Sequence, residues 1–241
     1  MLANRLRPRI GQLRMASADA YARYLETAGA AEELDVLIDL ATTHYTHFFR
    51  EPAHFEWLAS SFLTSRLCQR GPCHVWSAAA SSGEEAWTLA MVLAETSQRV
   101  PDFDWKLDAS DISGRVLAQA RRAIYPESAI LAVPDALRRL YLERGIGPRA
   151  GFFRMDGALR QRVRFTRGSL FDDRADFPAA VDVIFCRNVM IYFDELSRAE
   201  AVRRLTARLA PGGHLVIGAS ESLLGIEQGL VPVHPGIYRL P

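Results

Sequence analysis

Apolar positions in the first part of the chain recur at helical spacing. They fall on every third or fourth residue over 14–28, where Gly29 follows as a stop, and again over 32–41. We therefore predict two helices before residue 42. Residues 42–50 are predicted to form a turn that leads into another helix.

After residue 71 the pattern changes to short apolar runs that alternate with helical spacing. The predicted strands are 73–80, 105–110, 163–166, 181–186, 214–218 and 236–240. The predicted helices between them include 84–97, 112–124 and 197–209. The run at 181–186 is apolar throughout, as expected of a parallel strand that is covered on both faces. Alternating strands and helices predict a doubly wound α/β sheet.

Residues 125–167 interrupt this alternation. A helix predicted at 134–143 leads into a glycine-rich stretch, and two short alternating segments follow at 152–155 and 161–165. The pair Asp156-Gly157 separates these segments. Because Asp-Gly favours two-residue hairpin turns, we predict a small antiparallel hairpin at the rim of the sheet.

Composition and charge restrict the class of protein. The 241 residues are 49% hydrophobic and 24% charged, which excludes a disordered or fibrous chain. No apolar run approaches the roughly 18–20 residues that span a bilayer, so we expect no membrane insertion. The net charge of +1 argues against a nucleic-acid binder. Residues 138–167, however, carry nine arginines against two acids, which favours an anionic partner near that segment.

The cysteines give no sign of a disulfide framework or a metal centre. The three, Cys68, Cys73 and Cys186, cannot all pair, and a cytoplasmic location is expected. Cys68, Cys73 and His74 form a small cluster, but a zinc site usually needs four ligands and no fourth is evident. We predict no metal site.

The first predicted strand ends in a turn of small residues, 79–83, where a ligand could approach the backbone closely. Ligands of open α/β sheets bind at the carboxyl ends of the strands. Glu84 and Glu85 follow at once and would repel a pyrophosphate, so they favour a ligand that carries a sulfonium or an amino group. The alternative is that both acids only stabilise the start of a helix.

Asp111 ends the second strand, where an acid typically accepts hydrogen bonds from ribose hydroxyls. Read alone, Asp111 is equally suited to cap the helix that follows. Further on, Pro211-Gly212-Gly213 joins a helix to a strand. The turn at 79–83, Asp111 and this loop occur in an order similar to that of class I S-adenosylmethionine-dependent methyltransferases.

Four longer motifs resemble one family of these enzymes, the chemotaxis receptor methyltransferases called CheR. The motifs are TTHYTHFFRE at 42–51, VWSAAASSGEE at 75–85, ASDI at 109–112 and IFCRNVMIYFD at 184–194. The resemblance implies methyl transfer from S-adenosylmethionine to glutamate side chains of chemotaxis receptors, with S-adenosylhomocysteine as the product.

The resemblance also implies a domain organisation. The expected parts are an N-terminal helical domain at 1–41, a connecting segment at 42–70, and a catalytic domain at 71–241 with a Rossmann-like doubly wound sheet. The N-terminal domain is expected to be short, because the family's first helix has no counterpart in this sequence. An antiparallel β-subdomain is expected as an insertion at about 144–167, which agrees with the predicted hairpin.

Site residues follow from the matched motifs and, for Ser169 and Leu170, from a separate match to the family's pair that flanks the adenine. The resemblance implies catalytic roles for Arg50 and Tyr192. The cofactor-binding residues that it implies are His44, Thr46, Arg50, Glu85, Asp111, Ser169, Leu170, Arg187 and Asn188. Glu85 would face the methionyl amino group, with Glu84 as the alternative. The family usually has Asn where His44 and Ser169 stand.

The expected partner is a methyl-accepting chemotaxis receptor, including its C-terminal peptide, which some family members bind through the β-subdomain. A glutamate is already a carboxylate at neutral pH, so the transfer needs no general base. Two alternatives stay open: a methyltransferase acting on RNA, DNA or a small molecule, and a non-catalytic module that senses S-adenosylmethionine. The Asn/Asp-Pro-Pro-aromatic motif of many amino-methylating enzymes is absent.

Overall fold

The structure is a computed structural model that describes residues 2–66, 71–226 and 229–241. Its N-terminal part is helical. The helices are α1 Leu2–Gln12, α2 Ala18–Leu25, α3 Ala31–Ala41, α4 Pro52–Trp57 and α5 Leu63–Arg66, and the π-helical turn Leu58–Phe62 joins α4 to α5. Residues 42–51 run between α3 and α4 without a helix and lie against the sheet domain.

The prediction of two helices before residue 42 is wrong in number. Helix α1 precedes the predicted pair, and the helix expected from residue 14 starts only at Ala18. Arg14 adopts the left-handed conformation with φ 53°, which ends the preceding segment. Ser17 then caps α2, because its hydroxyl accepts a hydrogen bond from the backbone N–H of Ala20 at 3.1 Å.

A buried carboxylate joins the three N-terminal helices. Glu33 on α3 accepts hydrogen bonds from Arg9 Nε on α1 at 2.9 Å and from the Tyr21 hydroxyl on α2 at 2.8 Å. Arg5 on α1 donates to the carbonyl oxygen of Thr42 at 3.0 Å. Helix α1 therefore fixes both the helical unit and the chain that leaves it toward the sheet.

The remainder of the chain forms two sheets. The strands are β1 Cys73–Ala78, β2 Trp105–Asp111, β3 Ile124–Pro126, β4 Leu142–Arg144, β5 Phe152–Met155, β6 Val163–Arg167, β7 Val181–Phe185, β8 Leu209–Val216, β9 Val231–His234 and β10 Ile237–Arg239. The helices among them are α6 Glu84–Arg99, α7 Gly114–Arg122, α8 Asp135–Tyr141, α9 Gly157–Gln161 and α10 Glu195–Thr206.

The main sheet has the order β6-β2-β1-β7-β8-β10-β9. Neighbouring strands are parallel from β6 to β8, and β10 pairs antiparallel with β8. Successive side chains of β7 enter opposite cores: Val183 and Phe185 pack on one face, and Ile184 on the other. Helices thus cover both faces of the central strands, which confirms the predicted doubly wound fold.

An antiparallel β-subdomain is present as predicted, but its strands lie within 124–155 and not at 144–167, and the hairpin predicted at 152–165 is wrong. The small sheet has the order β3-β5-β4, so β5 pairs with strands that precede it in the chain. Asp156 does not form a hairpin turn; its carboxylate accepts the N–H of Ala158 at 2.9 Å and caps α9. The segment expected as the second arm is β6, which pairs parallel with β2 at an edge of the main sheet.

Within the described ranges no helix combines the length and the apolar character needed to cross a membrane. Cys68 lies outside the described residues, so the predicted absence of a metal site stays a prediction. Cys73 and Cys186 are buried free thiols. Burial raises the pKa of the Cys73 thiol to about 12, so this cysteine is not a nucleophile at neutral pH.

Candidate active site

A cavity of about 290 Å³ lies where β1, β2, β6 and β7 end and where residues 41–46 cross the sheet. Every site residue implied by the sequence motifs lines it. They are His44, Thr46, Arg50, Glu85, Asp111, Ser169, Leu170, Arg187, Asn188 and Tyr192. The chain brings them together because parallel strands end at one edge of the sheet, which gathers residues that are far apart in sequence.

The turn after β1 forms the floor of this cavity in an unusual backbone conformation. Ala79 and Ser81 have φ of 72° and 51°, and Gly83 has φ 99°. A Cβ at Gly83 would lie 2.8 Å from the Ala120 Cβ and 2.9 Å from the Tyr125 hydroxyl. Only glycine therefore allows α7 and β3 to pack against the turn this closely.

The two acids after the turn have different surroundings. Glu85 lines the cavity and accepts hydrogen bonds from the Ser77 hydroxyl at 2.7 Å and from Arg187 Nη1 at 3.1 Å. Glu84 is buried beside the Ser82 hydroxyl, 2.6 Å away, and is not part of the cavity lining. Burial raises the pKa of Glu85, and the adjacent Arg187 opposes this shift. Of the two, Glu85 is placed to meet a cationic group of a ligand.

Asp111 at the end of β2 holds two segments of backbone. Its Oδ2 accepts the N–H of Ser81 and its Oδ1 accepts the N–H of Ser113, each at 2.9 Å. The cap of α7 is Ser113, whose hydroxyl accepts the N–H of Val116. Burial raises the pKa of Asp111, while these N–H donors favour the charged form. Each carboxylate oxygen keeps a further lone pair for a ligand hydroxyl.

Arg187 lies at the junction of the N-terminal segment and the sheet. Its side chain is 1% exposed and pairs with Glu85 and, at 3.0 Å, with Glu51. Its Nη2 also donates to the carbonyl oxygen of Arg50. The buried Nε has no hydrogen-bond partner among the described residues. A buried, unsatisfied N–H donor in a cavity wall is suited to a carboxylate of a bound ligand.

Two acids outside the predicted set hold this part of the cavity. Glu51 accepts hydrogen bonds from Asn188 Nδ2 at 3.1 Å and from the N–H of Ala219 at 3.0 Å, in addition to Arg187. Glu221 accepts the N–H of Asn188 at 2.8 Å. Glu51 stands inside the motif at 42–51, beside Arg50, and that position was the available signal. Glu221 gave none, because its partners are backbone groups about 30 residues earlier.

Arg50, Tyr192 and His44 lie toward the open side. Arg50 Nη1 donates to the carbonyl oxygen of Tyr45 at 2.8 Å, and its guanidinium lies 5.5 Å from the Tyr45 ring centroid. The Tyr192 residue is 54% exposed. His44 Nε2 is 2.8 Å from the Thr42 hydroxyl, and burial lowers the pKa of the imidazole. His44 is therefore held neutral by its surroundings near pH 7.

The other end of the cavity is formed by the turn after β6. Ser169 and Leu170 line it, and the Ser169 hydroxyl accepts the N–H of Phe171 at 3.2 Å. This end is less charged than the end that contains Glu85 and Arg187. The cavity thus joins an apolar wall, a buried ribose-type acceptor at Asp111 and a charged pocket.

This donor set fits S-adenosylmethionine. Leu170 offers an apolar surface for the adenine, and Asp111 offers acceptors for the ribose hydroxyls. Glu85 suits the methionyl amino group, and the unsatisfied Arg187 Nε suits the methionyl carboxylate.

Comparisons with known proteins agree with this fit. A family model described as "CheR methyltransferase, SAM binding domain" matches residues 44–234. The chemotaxis protein methyltransferase of Escherichia coli (strain K12) is 39% identical over 241 residues, which cover 100% of this chain and 82% of that protein. Chemotaxis protein methyltransferase 2 of Pseudomonas aeruginosa is 37% identical and covers 99% of this chain and 84% of that protein.

Among solved structures, a putative O-methyltransferase from Nostoc punctiforme aligns with a TM-score of 0.39 and 15% identity, over 78% of this chain and 46% of that chain. This value is too low to carry an argument of its own. The family model covers most of the chain, and both relatives match nearly the whole of it at 37–39% identity. The chain belongs to the CheR family of methyltransferases, and its cofactor is S-adenosylmethionine.

Proposed function

We propose that the chain transfers the methyl group of S-adenosylmethionine to glutamate side chains of chemotaxis receptors and forms glutamate methyl esters. The observation that carries this proposal is the meeting of the cofactor-type residues with Arg50 and Tyr192 in one cavity that opens to solvent. The names of the relatives, chemotaxis protein methyltransferases, support a receptor as the substrate. A cytoplasmic location is part of the proposal.

Arg50 is suited to orient the substrate carboxylate. One of its N–H groups is engaged at the Tyr45 carbonyl, and the planar guanidinium has four further N–H groups. A carboxylate can accept two parallel hydrogen bonds from such a fork. The negative field of Glu85 and Glu51, which would otherwise repel an anionic substrate, is offset by Arg187, which pairs with both.

Methyl transfer to a carboxylate requires the protein mainly to align the two reacting groups. When bound, S-adenosylmethionine would supply a methyl group activated by its sulfonium: an anionic oxygen can bond to the methyl carbon while the C–S bond breaks and the sulfur leaves as the thioether of S-adenosylhomocysteine. A glutamate has a pKa of about 4.3 and is already anionic at neutral pH, so no side chain has to remove a proton. The chain's residues hold the reacting groups in line and exclude water. Such alignment lowers the activation barrier of a two-substrate reaction by a large amount.

Tyr192 is proposed to position the reacting groups at the open side of the cavity. It lies on the short 3₁₀ turn Met190–Tyr192, directly after the loop that carries Arg187 and Asn188. Its phenol ring provides an apolar surface beside the cavity and its hydroxyl provides a hydrogen-bond donor. This role requires that the loop be held still, which the contacts of Glu51 and Glu221 provide.

The test is methyl transfer from labelled S-adenosylmethionine to membranes that contain the receptors of the source organism. Carboxyl methyl esters are labile to alkali, so the expected label is released as methanol at high pH. Replacing the receptor's methyl-accepting glutamates by Ala should abolish labelling. Label that resists alkali, or that enters nucleic acid or a small molecule instead, would contradict the proposal.

We also propose that the β-subdomain binds the extended C-terminal peptide of a receptor. Strands β3 and β4 are the edges of the small sheet, and an edge strand can pair with an added peptide strand. Ile146 and Phe152 beside β4 are 84% and 43% exposed, so apolar surface is available there. Arg144 lies in β4, Arg154 in β5 and Arg149 in the turn between them, and these charges would favour an acidic peptide.

A further inference from the structure

Glu221 lies after β8, in the segment that follows Gly218, and is not part of the cavity lining. Its carboxylate nevertheless accepts four backbone N–H groups. Oε2 accepts those of Gly218 at 2.6 Å and Asn188 at 2.8 Å. Oε1 accepts those of Met190 at 2.8 Å and Ile191 at 3.3 Å. These bonds use about all of the acceptor capacity of one carboxylate.

Three of the four donors belong to one loop. Asn188, Met190 and Ile191 lie between the end of β7 and α10, and Tyr192 follows them directly. The fourth donor, Gly218, follows β8, which is the neighbour of β7 in the sheet. The carboxylate therefore ties the loop that carries Tyr192 to the adjacent strand end, and does so through charge-assisted bonds, which are the stronger kind.

The surrounding backbone is built for this contact. Asn188 adopts the left-handed conformation with φ 59°, which turns its N–H toward Glu221 while its side chain reaches Glu51. A Cβ at Gly218 would collide with Asn188 Nδ2 and would lie 2.9 Å from Glu221 Oε2. Glycine at this position is thus required by the close approach of the two side chains.

We propose that Glu221 is a positioning residue for methyl transfer: it fixes the loop 188–192 so that Tyr192 stands at the cavity mouth in the reactive arrangement. Glu221 itself touches neither cofactor nor substrate. The proposal rests on the proposed function, because that function gives Tyr192 its role. It separates two tasks in the site, since Glu85 and Asp111 have other hydrogen-bond partners than Glu221. Asn188 meets Glu221 only through its backbone N–H, and its side chain is held by Glu51.

The test is Glu221→Gln, which keeps the shape but replaces one acceptor oxygen by an NH₂ group that faces N–H donors. We expect the turnover number with receptor membranes to fall on the order of ten- to a hundredfold, the cost of a displacement of about 1 Å at the reacting groups. The dissociation constant of S-adenosylhomocysteine, measured by calorimetry, should change by less than about threefold, because Asp111 and Glu85 are intact. A purely structural role would lower the turnover number and raise the dissociation constant together.

The matched control is Asp156→Asn. It also changes a carboxylate that accepts two backbone N–H groups, at the start of α9 and away from the cavity, so its turnover number should equal that of the wild type. Glu221→Asp, which keeps the charge but shortens the reach, should recover part of the lost turnover. If Glu221→Gln retains wild-type turnover, or if Asp156→Asn loses as much, the proposal is overturned.

A second variant serves if Glu221→Gln fails to fold, as judged by circular dichroism. Gly218→Ala places a methyl group between Asn188 and Glu221 and should reduce turnover through the same loop. Unchanged turnover in a folded Gly218→Ala would contradict the proposal. Failure of the proposed function has a different outcome, since wild-type protein would then leave the receptor unlabelled.

Discussion

At the level of single residues, a substitution of Asp111 tests whether this carboxylate binds the cofactor. Asp111→Ala removes the acceptor proposed for the ribose hydroxyls, and a hydrogen bond to a charged group is worth about 1.5–3 kcal/mol. The dissociation constant of S-adenosylhomocysteine should rise roughly ten- to a hundredfold in calorimetry. Asp156→Ala, which removes a helix cap outside the cavity, should leave it unchanged. Equal affinities in wild type and Asp111→Ala would show that Asp111 does not bind the cofactor.

A substitution of Tyr192 tests whether its hydroxyl contributes to methyl transfer. Tyr192→Phe keeps the ring and removes the hydroxyl, so turnover should fall about tenfold or more while S-adenosylhomocysteine affinity stays the same. Tyr45 also lines the cavity and is 72% exposed, which makes Tyr45→Phe a matched control that should keep full turnover. Steady-state kinetics on receptor membranes measures both. A parallel loss of affinity in Tyr192→Phe would instead identify Tyr192 as a binding residue.

Most of the predicted site residues could be placed from the sequence because they lie in four contiguous motifs. Ser169 and Leu170 lie outside these motifs and were placed only by their match to the family. Glu85 and Glu84 could not be separated there, since only the structure shows which carboxylate faces the cavity. Glu221 was not predicted from the sequence, for a different reason. Three of its four partners are backbone amides beyond another strand end, and no pattern of side chains along the chain records such contacts.

At the scale of elements, apolar runs located six of the seven strands of the main sheet, because central parallel strands are buried on both faces. The edge strand β9 was missed because all four of its residues are exposed, and β8 includes the residues 211–213 that were expected to form a loop. The small sheet was mispredicted because its strands are only three or four residues long and pair across an intervening helix. The Asp156-Gly157 signal was real but belonged to a helix cap. The break at Arg14 was missed, since helical spacing continues through it.

The β-subdomain yields a prediction of its own. Gly147 has φ 55°, a conformation that a β-branched residue adopts poorly, although a Cβ there would meet no atom within 4 Å. Gly147→Val should therefore disturb the exposed turn after β4 and weaken binding of a C-terminal receptor peptide, while S-adenosylhomocysteine affinity is unchanged. Calorimetric titration with peptides from receptors of the source organism measures both.

Gly157→Val is the matched control for this experiment. It makes the same replacement at the start of α9, outside the turn after β4 and without a positive φ, so peptide binding should persist. If no receptor peptide binds the wild type, the β-subdomain has no tethering role in this chain. If Gly147→Val binds as well as the wild type, the peptide site lies elsewhere.

At the scale of the whole molecule, two parts of the chain share one cavity. Residues 41–46 form one wall, and the strand ends of the sheet form the others. Helix α3 is held to the sheet domain by Asp39, which accepts a bond from Arg115 Nε at 2.7 Å, and by an ion pair between Asp35 and Arg167. A ligand in the cavity therefore contacts both parts and should stabilise them together.

S-adenosylhomocysteine at a hundred times its dissociation constant should raise the free energy of unfolding by about 2.7 kcal/mol. For a chain of this size that is roughly a 5–10 °C increase in Tm, at about 2–4 °C per kcal/mol. Scanning calorimetry should show a single transition that moves as a unit. A separate transition of the N-terminal helices that ignores the ligand would contradict the shared cavity, and Asp111→Ala should show a smaller shift at the same concentration.

The left-handed residues of this fold are unevenly distributed. In the described part of the chain, eight residues other than glycine have positive φ, and five of them lie in or directly beside the cavity: Phe49, Glu51, Ala79, Ser81 and Asn188. Each such conformation costs free energy in a residue other than glycine, so the site is held in shape at the expense of the stability of the fold. Selection for thermal stability alone would first replace these residues by ones that remove the strained backbone. The resulting protein would be more stable, but it would turn over more slowly because its active site would lose its shape.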